Sequence, residues 1–158
     1  MLSISQAMQK IKEHQSSIPV NVIRIANDLG MKVYSVPDMN GTLSGMIRKN
    51  PESRGGFDIF VNGSHSDNRR RFTIAHEIAH AVLHPHLIGD GITDDALLRS
   101  GLSNSVEAQA NSLAADILMP WEKLNECLER GITSLDNLAE MFGVSKQAMA
   151  IRIGVPQD

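Results

Sequence analysis

The segment from Ser66 to His84 constrains this chain most. Its apolar residues Phe72, Ala75, Ile78, Ala79, Val82 and Leu83 recur at helical spacing, Ser66 or Asp67 can start the helix, and Pro85 bars its continuation. Set among them is His76-Glu77-Ile78-Ala79-His80. On an α-helix positions 76 and 80 lie about 40° apart around the axis and one turn along. Both imidazoles therefore leave on one side and can share one tetrahedral cation. Glu77 stands about 100° from His76 and about 60° from His80, so it reaches beside such an ion without taking a ligand position. A fold that buries this helix must build its core around a polar cluster.

The rest of the chain offers material for one such core. Its 158 residues are 42% hydrophobic and 21% charged, which excludes a disordered chain and fits one domain, or one with a small appendage. Aromatic residues are only 4%, so the core must come from aliphatic side chains and the eight Met. The formal net charge of −3 lacks the basic surplus of most nucleic-acid-binding domains. A single cysteine, Cys127, excludes an internal disulfide or a cysteine-rich zinc ribbon and fits a reducing compartment. No signal-like or membrane-length apolar run is present. These features lead us to expect a soluble cytoplasmic protein without membrane partners.

Ile4, Met8 and Ile11 predict an N-terminal amphipathic helix, and Pro19 a second one bearing Val22, Ile25, Ala26 and Leu29 and stopping at Gly30. Three strand-like pieces follow, 33–36, 43–48 and 57–61, and predict a small antiparallel sheet. Residues 85–104 form a long connection with one regular hint at Ala96-Leu97-Leu98, placed to gate a cleft. A helix over 106–119 ends before Pro120, and shorter helices are expected at 121–130, 134–142 and 145–153. We expect a metal-bearing domain over 1–130, with the helices of 131–158 packed on it.

Two imidazoles are too few to hold a catalytic ion. Glu107 starts the segment Glu107-Ala108-Gln109-Ala110-Asn111, with Asn111 one helical turn beyond on the same face. Glu107 is the candidate third ligand, and Asn111 can accept an N–H from a ligating imidazole and so fix its tautomer. Two alternatives stay open on spacing alone. Asp116 lies on the same helix, about 180° from Glu107. His84 is a third histidine on the first helix, but it sits about 12 Å along the axis from His76, too far for one ion to be surrounded well. His84 therefore reads as a site neighbour or a histidine satisfied by the helix C-terminus. His14, His65 and His86 read as surface residues.

Arg71-Phe72-Thr73-Ile74-Ala75-His76-Glu77-Ile78-Ala79-His80, followed by Glu107-x-x-Ala110-Asn111-x-x-Ala114-Ala115-x-Ile117-Leu118-Met119-Pro120, resembles the ImmA/IrrE family of metallopeptidases. Ile18-Pro19-Val20 and the strand ending at Val61-Asn62 resemble its upstream pattern, and the likeness spans roughly 18–153. Ala79, Leu113 and Ile117 depart from residues common in the family but keep small or apolar character. The resemblance implies an α+β, zincin-like fold in which a small sheet packs on the HExxH helix and a second helix gives Glu107. It implies one Zn²⁺ ion held by His76, His80 and Glu107, with Glu77 as catalytic base. It further implies a substrate: a cytoplasmic helix-turn-helix repressor whose cleavage relieves repression of mobile-element or stress-response genes.

Residues 135–152 also read like a helix-turn-helix, with Gly143 ending one helix and Ser145 capping the next. Only Lys146, Gln147 and Arg152 suit a DNA-reading face, so packing or substrate docking is expected and direct DNA binding is not. Arg69-Arg70-Arg71 opens the site helix where cations are disfavoured; a buried ion pair for one arginine with the other two solvated, pairing with the acids of 90–95, or a grip on a peptide would account for it. Met119-Pro120-Trp121 should end its helix and plug the core, and Cys127 should be buried. For the oxyanion of a hydrolytic reaction His84 is the one candidate group. Rival readings are a DNA-binding transcriptional regulator and a zinc-stabilised interaction domain without catalysis.

Overall fold

Polar caps and glycine stops set most element boundaries. The computed structural model describes residues 2–37, 39, 43–89, 92–93 and 103–156. Among these the order is α1 (Ile4–Glu13), α2 (Val22–Asp28), β1 (Lys32–Val36), β2 (Gly45–Lys49), β3 (Phe57–Asn62), α3 (Asp67–Leu83), β4 (Ile92–Thr93), α4 (Ser103–Leu118), α5 (Trp121–Glu129), α6 (Leu135–Phe142) and α7 (Lys146–Ile153). Ser3, Ser66, Ser134 and Ser145 each accept a first-turn backbone N–H and so begin α1, α3, α6 and α7. Asn21 does the same for α2, accepting from Arg24 at 3.1 Å. The second helix thus begins after an Asn cap, two residues beyond Pro19, and not at the proline. Gly143 ends α6 in the left-handed region at φ 67°, where glycine carries no steric penalty.

The four strands form one sheet in the order β1-β3-β2-β4. β2 and β3 pair antiparallel from Gly45↔Val61 to Lys49↔Phe57, and β2 pairs antiparallel with β4 at Met46↔Thr93 and Ile47↔Ile92. β1 pairs parallel with β3, Lys32↔Asp58 through Val36↔Asn62. The sheet is therefore mixed, not antiparallel, and has a fourth strand. The turn between β2 and β3 dictates a hairpin, which leaves β1 the far edge of β3. Of the 85–104 connection, a 3₁₀ turn at Pro85–Leu87 and β4 are described. Asp90, Asp94, Asp95 and Ala96-Leu97-Leu98 lie outside the described residues, and the gating expectation with them.

The architecture is α+β and zincin-like, and it is arranged around α3. This helix packs on β2 and β3 on one side and on α4 on the other. All eight residues from Thr73 to His80 are buried, so no side of its middle faces water. Ala75 and Ala79, both fully buried, allow its neighbours to approach. Ile47, Ile59, Ile78, Ile117 and Leu118 are inaccessible and form the aliphatic centre. Such side chains stabilise by roughly 1.5–3 kcal/mol each when fully buried.

The last two helices share that core through Leu138, Phe142 and Met149, all fully buried. Arg71 donates to the carbonyls of Gly143 and Phe142 at 3.1 and 3.3 Å. A cation there complements the C-terminal end of α6, and burial holds the Arg71 guanidinium below its ordinary value. Arg152 donates to the Met119 carbonyl from Nε and Nη2 and pairs with Asp116 at 2.9 Å. No helix among the described residues is long and apolar enough to cross a membrane.

Candidate metal centre

α3 places three polar side chains in the molecule's interior. Ser66 and Pro85 bracket it, so His76, Glu77 and His80 fall in its fully buried middle. α4 lies across them and carries Glu107 in its second turn. His76, His80 and Glu107 thus come to one place, and Glu77 follows His76 on the same buried helix.

His76 Nε2 and His80 Nε2 are 3.1 Å apart. Glu107 spans them, with Oε1 2.9 Å from His80 Nε2 and Oε2 3.0 Å from His76 Nε2. The two rings stand nearly perpendicular, at 89°. His80 is inaccessible, and the side chains of His76 and Glu107 are 6% and 13% exposed. Burial pushes the Glu107 carboxyl up, but hydrogen bonds and charge from His76 and His80 outweigh it and bring it down to about 2. It is an anion throughout the neutral range.

This donor set fits a divalent cation. Two imidazole nitrogens and a carboxylate converge with their ligand atoms within 4.8 Å of one another. Zinc bonds of about 2.0–2.1 Å in a tetrahedron separate ligand atoms by about 3.3 Å. The observed separations of 3.1, 2.9 and 3.0 Å lie within a few tenths of an ångström of that value. Two nitrogens and a carboxylate with no apolar atom among them suit zinc and several other divalent ions.

The outer nitrogens of both rings are also engaged. His76 Nδ1 meets Asn111 Oδ1 at 2.8 Å, the contact expected from the Glu107–Asn111 spacing. His80 Nδ1 meets His84 Nδ1 at 3.0 Å, and His84 Nε2 meets Gln109 Oε1 at 2.7 Å. His84 therefore stands behind His80, turned away from the Nε2 side, and is not placed to meet an oxyanion there. It is buried, and burial keeps its imidazole below the ordinary histidine value against the pull of Gln109. Glu77 is fully buried beside β2. A Cβ on Gly45 would lie 3.8 Å from Glu77 Cγ but only 2.4 Å from Thr73 Cγ2, so the glycine permits the close crossing of α3 over β2.

Asp116 is excluded as the third ligand among the described residues: it pairs with Arg152 on the opposite side of α4. The arginine run is used differently from the expected buried ion pair. Arg69 donates to Ser44 Oγ at 3.1 Å, Arg70 pairs with Asp67, and Arg71 binds helix-end carbonyls. His14 and His65 are not plain surface residues, since they meet Asp28 and the Asn62 amide. Met119 is buried as expected, but Trp121 is 44% exposed with the Arg152 guanidinium over its ring. Cys127 is buried. Gln109 and Gly45 carry no sequence signal that points to the site. Gln109 lies about 200° around the wheel from Glu107, and Gly45 gives no periodic signal.

Comparison with known proteins agrees with this geometry. The family model for the IrrE N-terminal-like domain, a peptidase family, matches residues 26–154. The radiation response metalloprotease IrrE of Deinococcus radiodurans is 40% identical over 85 residues, which cover 48% of this chain and 25% of that protein. The present chain thus spans a quarter of that relative's length. The solved structure of a Mycobacterium tuberculosis transcriptional regulator shares the fold with a TM-score of 0.65 at 19% identity, over 98% of this chain and 47% of that one.

Proposed function

Since the chain belongs to the IrrE N-terminal-like family of metallopeptidases, we propose that it is a zinc-dependent endopeptidase whose substrate is a cytoplasmic helix-turn-helix repressor. The convergence of His76, His80 and Glu107 beside a buried Glu77 carries this reading. His76, His80 and Glu107 would hold the ion. When bound there, zinc supplies Lewis acidity to the scissile carbonyl and to the attacking water.

Glu77 does the proton work. Its carboxylate takes a proton from water as it attacks the peptide carbon and passes that proton to the leaving nitrogen. Its burial excludes bulk water, which strengthens every charge interaction at the site. Asn111 accepts from His76 Nδ1–H and so keeps the Nε2 lone pair turned inward. Glu107 stays ionised and balances the ion's charge.

The repressor assignment rests on family membership. The chemistry of the last two helices favours a protein partner over DNA. Of three residues suited to a DNA face, Arg152 is spent on Met119 and Asp116, and Lys146 pairs with Asp136.

The test is Glu77→Gln on the full chain. It should retain one equivalent of zinc and its thermal melt, and lose repressor cleavage by about 10²- to 10⁴-fold. A helix-turn-helix repressor encoded beside this chain is the substrate to use. Full cleavage by the variant would remove Glu77 from its role. An intact repressor after incubation with active, zinc-loaded wild type would remove the substrate.

A further inference from the structure

His84 and Gln109 are left over by the mechanism, yet they form a directed hydrogen-bond chain ending on a ligand ring. We infer that His84 and Gln109 are positioning residues that hold His80 in the one tautomer able to bind the ion. The inference rests on the metal site proposed above, and the directions follow from the contacts. For His80 to bind through Nε2, that nitrogen must offer a lone pair, so the ring's proton sits on Nδ1. That N–H points at His84 Nδ1, 3.0 Å away, which must accept. His84 then carries its own proton on Nε2 and donates it to Gln109 Oε1 at 2.7 Å.

With the Gln109 carbonyl as its partner, the chain runs in this one direction. A donor in its place would put the His84 proton on Nδ1, facing His80 Nδ1. His80 would then have to accept, its proton would move to Nε2, and the ion's site would be blocked. Asn111 fixes His76 by one direct bond, whereas for His80 an imidazole is interposed.

The backbone explains how His84 comes to serve. Pro85 disfavours helical geometry at the residue before it, and His84 sits at φ −129°, ψ 40° while its N–H still bonds the His80 carbonyl at 2.8 Å. Its ring leaves the helix one turn beyond His80, 5.2 Å between centroids. Its 5% exposure leaves Gln109 as the acceptor its Nε2 meets.

The probes are Zn²⁺ and Co²⁺ alone, with affinity read by chelator competition. His84→Leu should weaken zinc binding by about 10- to 100-fold, and Gln109→Leu by a smaller factor. His84→Asn restores an acceptor near the Nδ1 position, and Gln109→Glu keeps one opposite Nε2; both should return to within about threefold of wild type. A purely packing role would not separate Gln109→Leu from Gln109→Glu. In zinc-loaded wild type, ¹⁵N shifts should show His84 protonated at Nε2 and bare at Nδ1. The Co²⁺ visible spectrum should broaden in the Leu variants and recover in the conservative ones. If His84→Leu unfolds, the Gln109 pair, at an exposed position, carries the comparison. The inference is overturned if the Leu variants bind zinc like wild type, or if His84 carries its proton on Nδ1. Wild type that takes up no zinc would instead overturn the metal site itself, a separately visible result.

Discussion

Gly45→Ala tests whether the crossing of α3 over β2 sets the site. A Cβ at position 45 would stand 2.4 Å from Thr73 Cγ2 and 2.9 Å from the Phe60 carbonyl oxygen. Carbon atoms in good contact are about 3.5–4.0 Å apart, so the first clash is short by about 1 Å. Neither neighbour yields easily. Thr73 is β-branched and 4% exposed, and the Phe60 oxygen belongs to the central strand. Helix and strand must separate, an overpacking cost of about 1–3 kcal/mol. Thr73→Ser removes the offending methyl and alone costs about 0.8 kcal/mol. Combined with Gly45→Ala it should recover at least about 1 kcal/mol relative to the sum of the single changes. Urea unfolding of the metal-free protein gives the four corners of this cycle. Repressor cleavage should follow the same order, because Glu77 rides on the displaced helix and about 1 Å of misplacement can cost 10²-fold. Additive free energies, or an alanine variant as stable as wild type, would refute the packing argument.

Three further outcomes are expected. Asn111→Leu should lower zinc affinity by about 10- to 100-fold in chelator competition while leaving the fold's melt near wild type, because Asn111 is exposed except for its bond to His76. In the metal-free protein, the lowered Glu107 carboxyl contributes stability that is full above the ordinary value of 4.5 and is lost as pH falls toward about 2. Glu107→Gln should therefore flatten the acid limb of a stability–pH curve from urea melts, by at most about 3 kcal/mol. Arg71→Ala should cost about 1–3 kcal/mol in the same melts by freeing the carbonyls of Phe142 and Gly143; an unchanged midpoint would show that the C-terminal helices are held by apolar contacts alone.

Much of this fold was readable where a local signal marked a boundary. Ser66 and Pro85 bracket α3 within a residue of its expected ends, and Pro120 closes α4. The His76–His80 pair was readable because helical spacing fixes which side chains share a face, whereas Glu107, on another helix, stood out from Asp116 and His84 through the family resemblance. Pairing across the sheet was not. A turn signal specifies a hairpin partner, but nothing local tells β1 to join β3 in parallel. The wheel puts His84 beside His80 as a site neighbour without saying which ring nitrogen it meets. A residue before proline leaves the helix, and its ring ends behind His80. One arginine of 69–71 was expected in a buried ion pair, yet helix-end carbonyls from a segment 72 residues away receive Arg71, a contact that only the tertiary fold creates.

The most direct measurement is anomalous diffraction at the zinc edge from zinc-loaded crystals of the full chain. One peak about 2.0–2.2 Å from His76 Nε2, His80 Nε2 and a Glu107 oxygen, with Glu77 next to it and not ligating, is the expected result. A peak elsewhere, or Glu107 swung into solvent with the two rings empty, would contradict the metal centre and the chemistry built on it.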